Sequence, residues 1–283
     1  MTRADNGRFA VPANRSDHED RGPDPARAGL GGRPGPAARP GSARPDPLAG
    51  ARCVLLDFDG PLCRFFAGPP GGPDSLAPGI ADDLRALLGG LPELRARLAP
   101  LPDPHEVYRR TAAALRRDGQ PEHPVVAAMR KRLDERELAA AGATAVPTPG
   151  AAGLLARLAD RGVLLGVASN NSEAAIRVFL ERAGMARWFE DGPVVGRPDD
   201  AGLMKPHPAV LRSALAYWPV RPDTCVLVGD SPADAAAAAA AGVAFCGYHR
   251  EPAKRRRLRE LPGAPPAVAE LAELAPAGRV AVT

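Results

Sequence analysis

Apolar residues fall into two patterns along the chain. The first is short and continuous. Cys53-Val54-Leu55-Leu56, Val163-Leu164-Leu165-Gly166-Val167-Ala168 and Thr224-Cys225-Val226-Leu227-Val228 each run almost uninterrupted into a polar, turn-forming group. Such runs suit strands of a parallel sheet that are covered on both faces. Residues 193–196 form a weaker run of the same kind, and residues 243–247 are expected to close the set. The second pattern has helical spacing. Residues 149–161 place Leu154, Leu155 and Leu158 on one face, with Thr148 as expected N-cap and Pro149 in the first turn. Residues 172–183 turn Ile176, Phe179 and Leu180 inward behind Ser172 as expected N-cap. Pro208 and Pro232 open two more helices, expected over 208–217 and over an alanine-rich run stopped by Gly242. Strands alternating with helices predict an α/β fold with a parallel sheet between helical layers.

The alternation stops between Cys63 and about residue 146. Residues 80–88, 104–117 and 125–141 carry helical patterns there, separated by short Pro/Gly breaks. The expected organisation is a core from 51–66 and 146–275 with a helical cap, residues 67–145, inserted after the first strand. Residues 1–50 are rich in Pro and Gly, poor in large apolar residues and without period. They cannot bury enough surface to offset their ordering entropy, so a disordered tail is expected.

Composition narrows the function classes. The formal net charge of +4 comes from Arg scattered among Asp and Glu, which is a solvated surface and not a nucleic-acid footprint. The basic run Lys254-Arg255-Arg256-Arg257-Leu258-Arg259 has no interleaved aromatics and is expected to be a solvated helix face. The four cysteines form no CxxC pair and have no zinc-ligand spacing. No apolar run is long enough for a bilayer and no apolar signal core opens the chain, so the expected setting is cytoplasmic, without membrane or nucleic-acid partners. The chain is saturated with Ala, Arg, Gly and Pro, while Lys occurs only at 131, 205 and 254. Beyond the tail, Asn occurs only at 170 and 171. Residues that persist against such a bias are better functional candidates.

In open α/β sheets ligands bind beyond the carboxyl ends of the strands. Polar residues gather at those ends here. Asp57 and Asp59 follow the first strand, Ser169 and Asn170 the second, and Asp230 the third, with Asp234 one helical turn on. Lys205 lies in a loop before a helix. Four carboxylates in one crevice repel one another and need a counter-charge. A hard divalent cation with oxygen ligands answers that need, and Mg²⁺ is the expected cofactor. The remaining lysine, hydroxyl and amide then suit an anion, and the set as a whole suits phosphoryl transfer.

These residues carry a resemblance. Asp57-Phe58-Asp59-Gly60, then Ser169, then Lys205 in Met204-Lys205-Pro206, then Gly229-Asp230-Ser231-Pro232-Ala233-Asp234 resemble the four ordered motifs of the haloacid dehalogenase-like (HAD) superfamily, in its phosphoglycolate phosphatase-like branch. The likeness spans about residues 52–272. It implies a HAD-like Rossmannoid core with a helical cap, acting on a small phosphorylated metabolite. It implies Asp57 as nucleophile and metal ligand, passing through an aspartyl-phosphate, and Asp59 as general acid-base group whose carbonyl also binds Mg²⁺. Ser169, Asn170 and Lys205 would hold the phosphate. Asp230 would bind the metal, with Asp234 supporting it directly or through water. A phosphomutase or phosphotransferase of the same branch, or a catalytically silent binding protein on the same fold, are the alternatives.

One position departs from the pattern. Pro61 stands where the family usually has Thr or Val, and proline has no N–H to offer a phosphate. Asn171 is expected to be a turn residue. Arg64-Phe65-Phe66 could touch substrate or pack at the cap hinge, and His105, Tyr108, Arg109 and His123 could set specificity or lie at the surface.

Overall fold

The computed structural model describes residues 46–66 and 75–275. Of the expected tail, residues 1–45 lie outside that range. Within the last five, Leu48 is fully buried, and Asp46 accepts hydrogen bonds from the Leu48 and Ala275 amides at 3.0 and 3.1 Å, so the chain packs on the core before Arg52.

A six-stranded parallel sheet forms the core. Its strands are β1 (Cys53–Leu56), β4 (Leu164–Ala168), β5 (Val194–Val195), β6 (Cys225–Gly229), β7 (Ala244–Tyr248) and β8 (Ala267–Val268), in the order β5-β4-β1-β6-β7-β8. β1 is central, paired in register with both β4 and β6, Leu56 lying beside Val167 and Val228. That register brings the ends of the three most apolar strands to one level. All four β1 side chains are buried, so neither face of the run tolerates a polar residue. Strand β8 lies outside the expected set.

Helices α5 (Ala151–Asp160), α6 (Glu173–Arg182), α7 (Ala209–Leu215), α8 (Pro232–Ala241) and α9 (Pro252–Arg259) alternate with the strands. Helix α7 stops two residues before Tyr217, and α9 carries the basic run on a largely exposed face. The cap of α5 differs from expectation. Gly150, at φ 87°, is its N-cap. Thr148 instead donates its hydroxyl to the Gly60 carbonyl at 2.5 Å, so it ties the core to the loop after β1 and is not free to cap.

Between β1 and α5 stands the helical insert. Its stem is a two-stranded antiparallel pair, β2 (Cys63–Arg64) with β3 (Val146–Pro147). Among the described residues four helices follow one another between these strands: α1 (Ala77–Ala86), α2 (Pro92–Leu98), α3 (Pro104–Arg117) and α4 (Pro124–Ala143). Helix α2 was not legible in the pattern, being only seven residues long. Asp103 caps α3 by accepting from the His105 amide, and Pro104 takes the first helical position, where a missing N–H costs nothing. His123 caps α4 in the same way through Nδ1. Ile80, Leu84, Tyr108, Met129 and Leu133 are buried inside the insert. Tyr108 is therefore a packing residue. Phe65 stacks at 4.9 Å from both Phe58 and Phe66, so the hinge is held by aromatic packing. No described helix is long and apolar enough to cross a membrane.

Candidate active site

The loop after β1 is shaped by a glycine. Gly60 has φ +102°, and a Cβ there would meet the Asp230 carboxyl carbon at 2.8 Å. The backbone thus passes directly over Asp230, an approach open only to glycine. Gly229 is similarly pressed against Asp234, where a Cβ would stand 2.7 Å from its Cγ. Asp57, Asp230 and Asp234 meet under these two glycines, one carboxylate oxygen of each within 4.8 Å of the others.

Lys205 lies among them, buried. Its ammonium is 2.9 Å from Asp57 Oδ1 and 2.6 Å from Asp234 Oδ1, and it donates to the Ala168 carbonyl at 2.9 Å. Asp234 Oδ1 receives that charge contact without an aligned hydrogen bond. Its other oxygen accepts from the Ser231 amide and hydroxyl at 3.0 and 2.7 Å, and Ser231 Oγ accepts from the Asp234 amide in return. This closed capping box starts α8 and fixes the Asp234 side chain.

One lysine does not balance the carboxylates. Burial, then the neighbouring Asp234 charge, raises the Asp57 pKa, against the pull of Lys205 and Ser169. Asp230 is raised well above the ordinary range by burial and by Asp234, Asp57 and Asp59. Lys205 is held charged by Asp234 and Asp57 despite its burial. An all-oxygen donor set with surplus negative charge fits a hard divalent cation. Asp57 and Asp230 retain oxygens for it, whereas Asp234 is largely committed to Lys205 and Ser231.

Asp59 lies apart from this cluster and points toward the insert. Its Oδ1 accepts from the Phe65 amide at 2.9 Å. Burial is the main cause that pushes its pKa up to about 6, with the Asp57 charge adding to it. Two carboxylates two residues apart thus occupy different environments.

On the β4 side, Ser169 is buried and donates to Asn171 Oδ1 at 3.1 Å. Asn170 clasps the Lys205 backbone, accepting from its amide at 2.8 Å and donating to its carbonyl at 3.1 Å. A cavity of about 750 Å³ opens onto Asp57, Asp59, Ser169, Asn170, Lys205 and Asp230. Its opposite wall comes from the hinge, with Phe66, and from the insert, with His105 and Arg109. His123 lies elsewhere, at the start of α4. A second opening of about 660 Å³, beside the β5 edge, has none of these groups.

Two functional candidates escaped the sequence reading. Glu137, in the middle of α4, is completely buried, and Arg197, just after β5, nearly so. They form a buried ion pair at 2.7 Å. The legible signal was spacing: Glu137 continues the buried stripe of Met129 and Leu133, four residues further on, and a carboxylate on an apolar stripe demands a partner. No pattern indicated Arg197.

A model of the haloacid dehalogenase-like hydrolase family matches residues 51–242. A phosphoglycolate phosphatase of Xylella fastidiosa (strain 9a5c) is 30% identical over 208 residues, covering 72% of this chain and 84% of that protein. A phosphoglycolate phosphatase of Rhodospirillum rubrum is 46% identical over 108 residues, a match spanning 37% of this chain and only 44% of that protein. Among solved structures, CbbY from Rhodobacter sphaeroides in complex with phosphate aligns over 79% of this chain and 96% of that one, with a TM-score of 0.54 and 20% identity. A predicted phosphatase from Clostridium acetobutylicum aligns over 80% and 96%, with a TM-score of 0.56 and 20% identity. At that identity the structural likeness shows the fold.

Proposed function

The chain belongs to the haloacid dehalogenase-like hydrolase family, and from that footing we propose that it is a phosphatase for a small phosphorylated metabolite, with 2-phosphoglycolate the first substrate to try. The observation that carries the reading is the meeting of Asp57, Asp59, Ser169, Lys205 and Asp230 in one cavity walled by the insert. In this reading Asp57 attacks phosphorus and the ester oxygen leaves with a proton from Asp59. A pKa near 6 lets Asp59 give that proton and then take one from the water that hydrolyses the aspartyl-phosphate. General acid-base help of this kind supplies about 10²–10⁴ in rate. Lys205, Ser169 and the Asn170 amide hold the phosphoryl oxygens as charge spreads over them. Mg²⁺ held by Asp57, Asp230 and the Asp59 carbonyl, with Asp234 behind Lys205, would supply further neutralisation of the transferring group. The insert shields the site from bulk water while the aspartyl-phosphate exists.

The purified chain is expected to release inorganic phosphate from 2-phosphoglycolate or p-nitrophenyl phosphate with Mg²⁺, and to stop with EDTA. Asp57→Asn is expected to abolish release. Undiminished turnover in that variant would sink the mechanism. Appearance of a rearranged phosphoester in place of free phosphate would identify a mutase.

A further inference from the structure

A buried carboxylate is tolerable only when donors surround it. Those around Glu137 come mostly from outside its own part of the fold. Within the insert, His105 Nε2 contributes one contact, at 2.7 Å to Oε1. The rest are core groups: Asn171 Nδ2 at 3.2 Å and Arg197 Nη1 at 3.1 Å on Oε1, with the Ser172 amide and Arg197 Nη2, both at 2.7 Å, on Oε2. Ser172 is the N-cap of α6, yet its hydroxyl caps nothing; its amide is turned to Glu137 instead.

Arg197 extends the network. Its Nη1 donates to the Asn170 carbonyl at 2.9 Å, its Nη2 to Asp134 of α4 at 2.5 Å, and its backbone amide to the Asn171 carbonyl at 2.8 Å. The two segments are in backbone contact, since a Cβ on Gly196 would stand 2.4 Å from the Glu173 nitrogen. Two short paths therefore leave Glu137 for the candidate phosphate site. One runs through Asn171 to the Ser169 hydroxyl. The other runs through Arg197 and Asn170 to the Lys205 backbone. A third contact holds His105, whose ring faces the cavity beside Phe66. Neither Glu137 nor Arg197 lines the cavity.

We propose that Glu137 and Arg197 are positioning residues for phosphoryl transfer: seating α4 on the core through this pair aligns Ser169 and Lys205 from below and His105 from above. The proposal rests on the phosphatase reading. A pair that merely staples the insert to the core would change stability alone. A pair that positions the site changes turnover in protein that is still folded, because small displacements of bound groups cost rate steeply.

The test uses the full chain with Mg²⁺, comparing wild type, Glu137→Gln, Arg197→Met and Arg197→Lys. It measures kcat and KM on p-nitrophenyl phosphate, calorimetric binding of inorganic phosphate, and circular dichroism at the assay temperature. Glu137→Gln turns an amide toward donors, and Arg197→Met removes the guanidinium contacts to Glu137 and to the Asn170 carbonyl. Each is expected to lower kcat about 10- to 100-fold and to weaken phosphate binding in parallel. Arg197→Lys, which keeps one charged contact, is expected to recover part of both. Folded variants with lowered melting temperature but unchanged kcat and phosphate affinity overturn the proposal. Should Glu137→Gln and Arg197→Met fail to fold, Arg197→Lys and Asn171→Ala decide by the same criterion. Should wild type release no phosphate, the phosphatase reading fails, and calorimetry alone decides. Phosphate binding that Arg197→Met weakens then upholds positioning. Binding that it leaves unchanged, or no binding by wild type, overturns it.

Discussion

Asp57 accepts a hydrogen bond from the Phe58 amide at 2.7 Å and an ion contact from Lys205 on the same oxygen. In the proposed mechanism its second oxygen is the one that meets phosphorus or a cation. Gly60 guards that arrangement from the side. Gly60→Ala would force a side chain onto Asp230 and into a left-handed conformation that costs roughly 1–2 kcal/mol in itself. With Mg²⁺ as the proposed cofactor, wild type is expected to melt higher in its presence, and Gly60→Ala is expected to lose that rise together with phosphate release. Differential scanning fluorimetry with and without Mg²⁺ checks the first, and a phosphate assay the second. Pro61 next to it is buried.

At the scale of elements, each strand of the central three hands its side chain to the site through a different local device. β1 ends in the turn that Gly60 makes, and β4 ends in the Asn170–Asn171 bend. β6 ends in the capping box of α8, where Ser231 and Asp234 bond reciprocally. Ser231→Ala removes the side chain that satisfies the Asp234 amide. It is expected to cost about 1 kcal/mol, read as a lower midpoint in urea unfolding with an unchanged slope. The same change leaves Asp234 Oδ2 with the backbone amide of residue 231 alone, so Lys205 is expected to be less well placed and turnover to fall as well. An unchanged midpoint would mean that the alanine-rich helix α8 needs no cap.

At the scale of the whole described structure, the link between insert and core is electrostatic and therefore depends on pH. Glu137 is buried, but Arg197, with His105 adding to it, lowers its pKa to about 2. A depressed carboxylate stabilises the fold above its unfolded value, near 4.3, and that contribution disappears as pH falls through about 2. Glu137 in turn raises the His105 pKa against the effect of burial. A raised imidazole stabilises fully below its unfolded value, near 6.5, and its contribution is lost as pH rises through the folded value. The stability difference between wild type and Glu137→Gln is thus expected to be greatest between about pH 5 and 6.5. It should shrink on both sides, measured by urea unfolding across pH. A difference flat in pH would mean that the pair contributes packing and not charge.

The residues in the strand-end cluster were legible because they obey local rules. A strand buried on both faces must be apolar, so the first polar residue after it announces the end, and Asp57, Ser169 and Asp230 could be picked out one strand at a time. Lys205 stood out because lysine is rare in this chain. The short elements were not legible: β2, β3 and β8 have two residues each, too few for a period. Thr148 looked like a cap because nothing local announced that the Gly60 carbonyl would need its hydroxyl. Sequence by itself therefore determined the α/β alternation, the helical insert and the roster of carboxylates, since each follows from which neighbours along the chain are apolar. Only the tertiary structure decided which charges meet. Glu137 and Arg197 are 60 residues apart in the chain, and a buried charge is matched by whatever donors the packing brings near, a condition that no local pattern records.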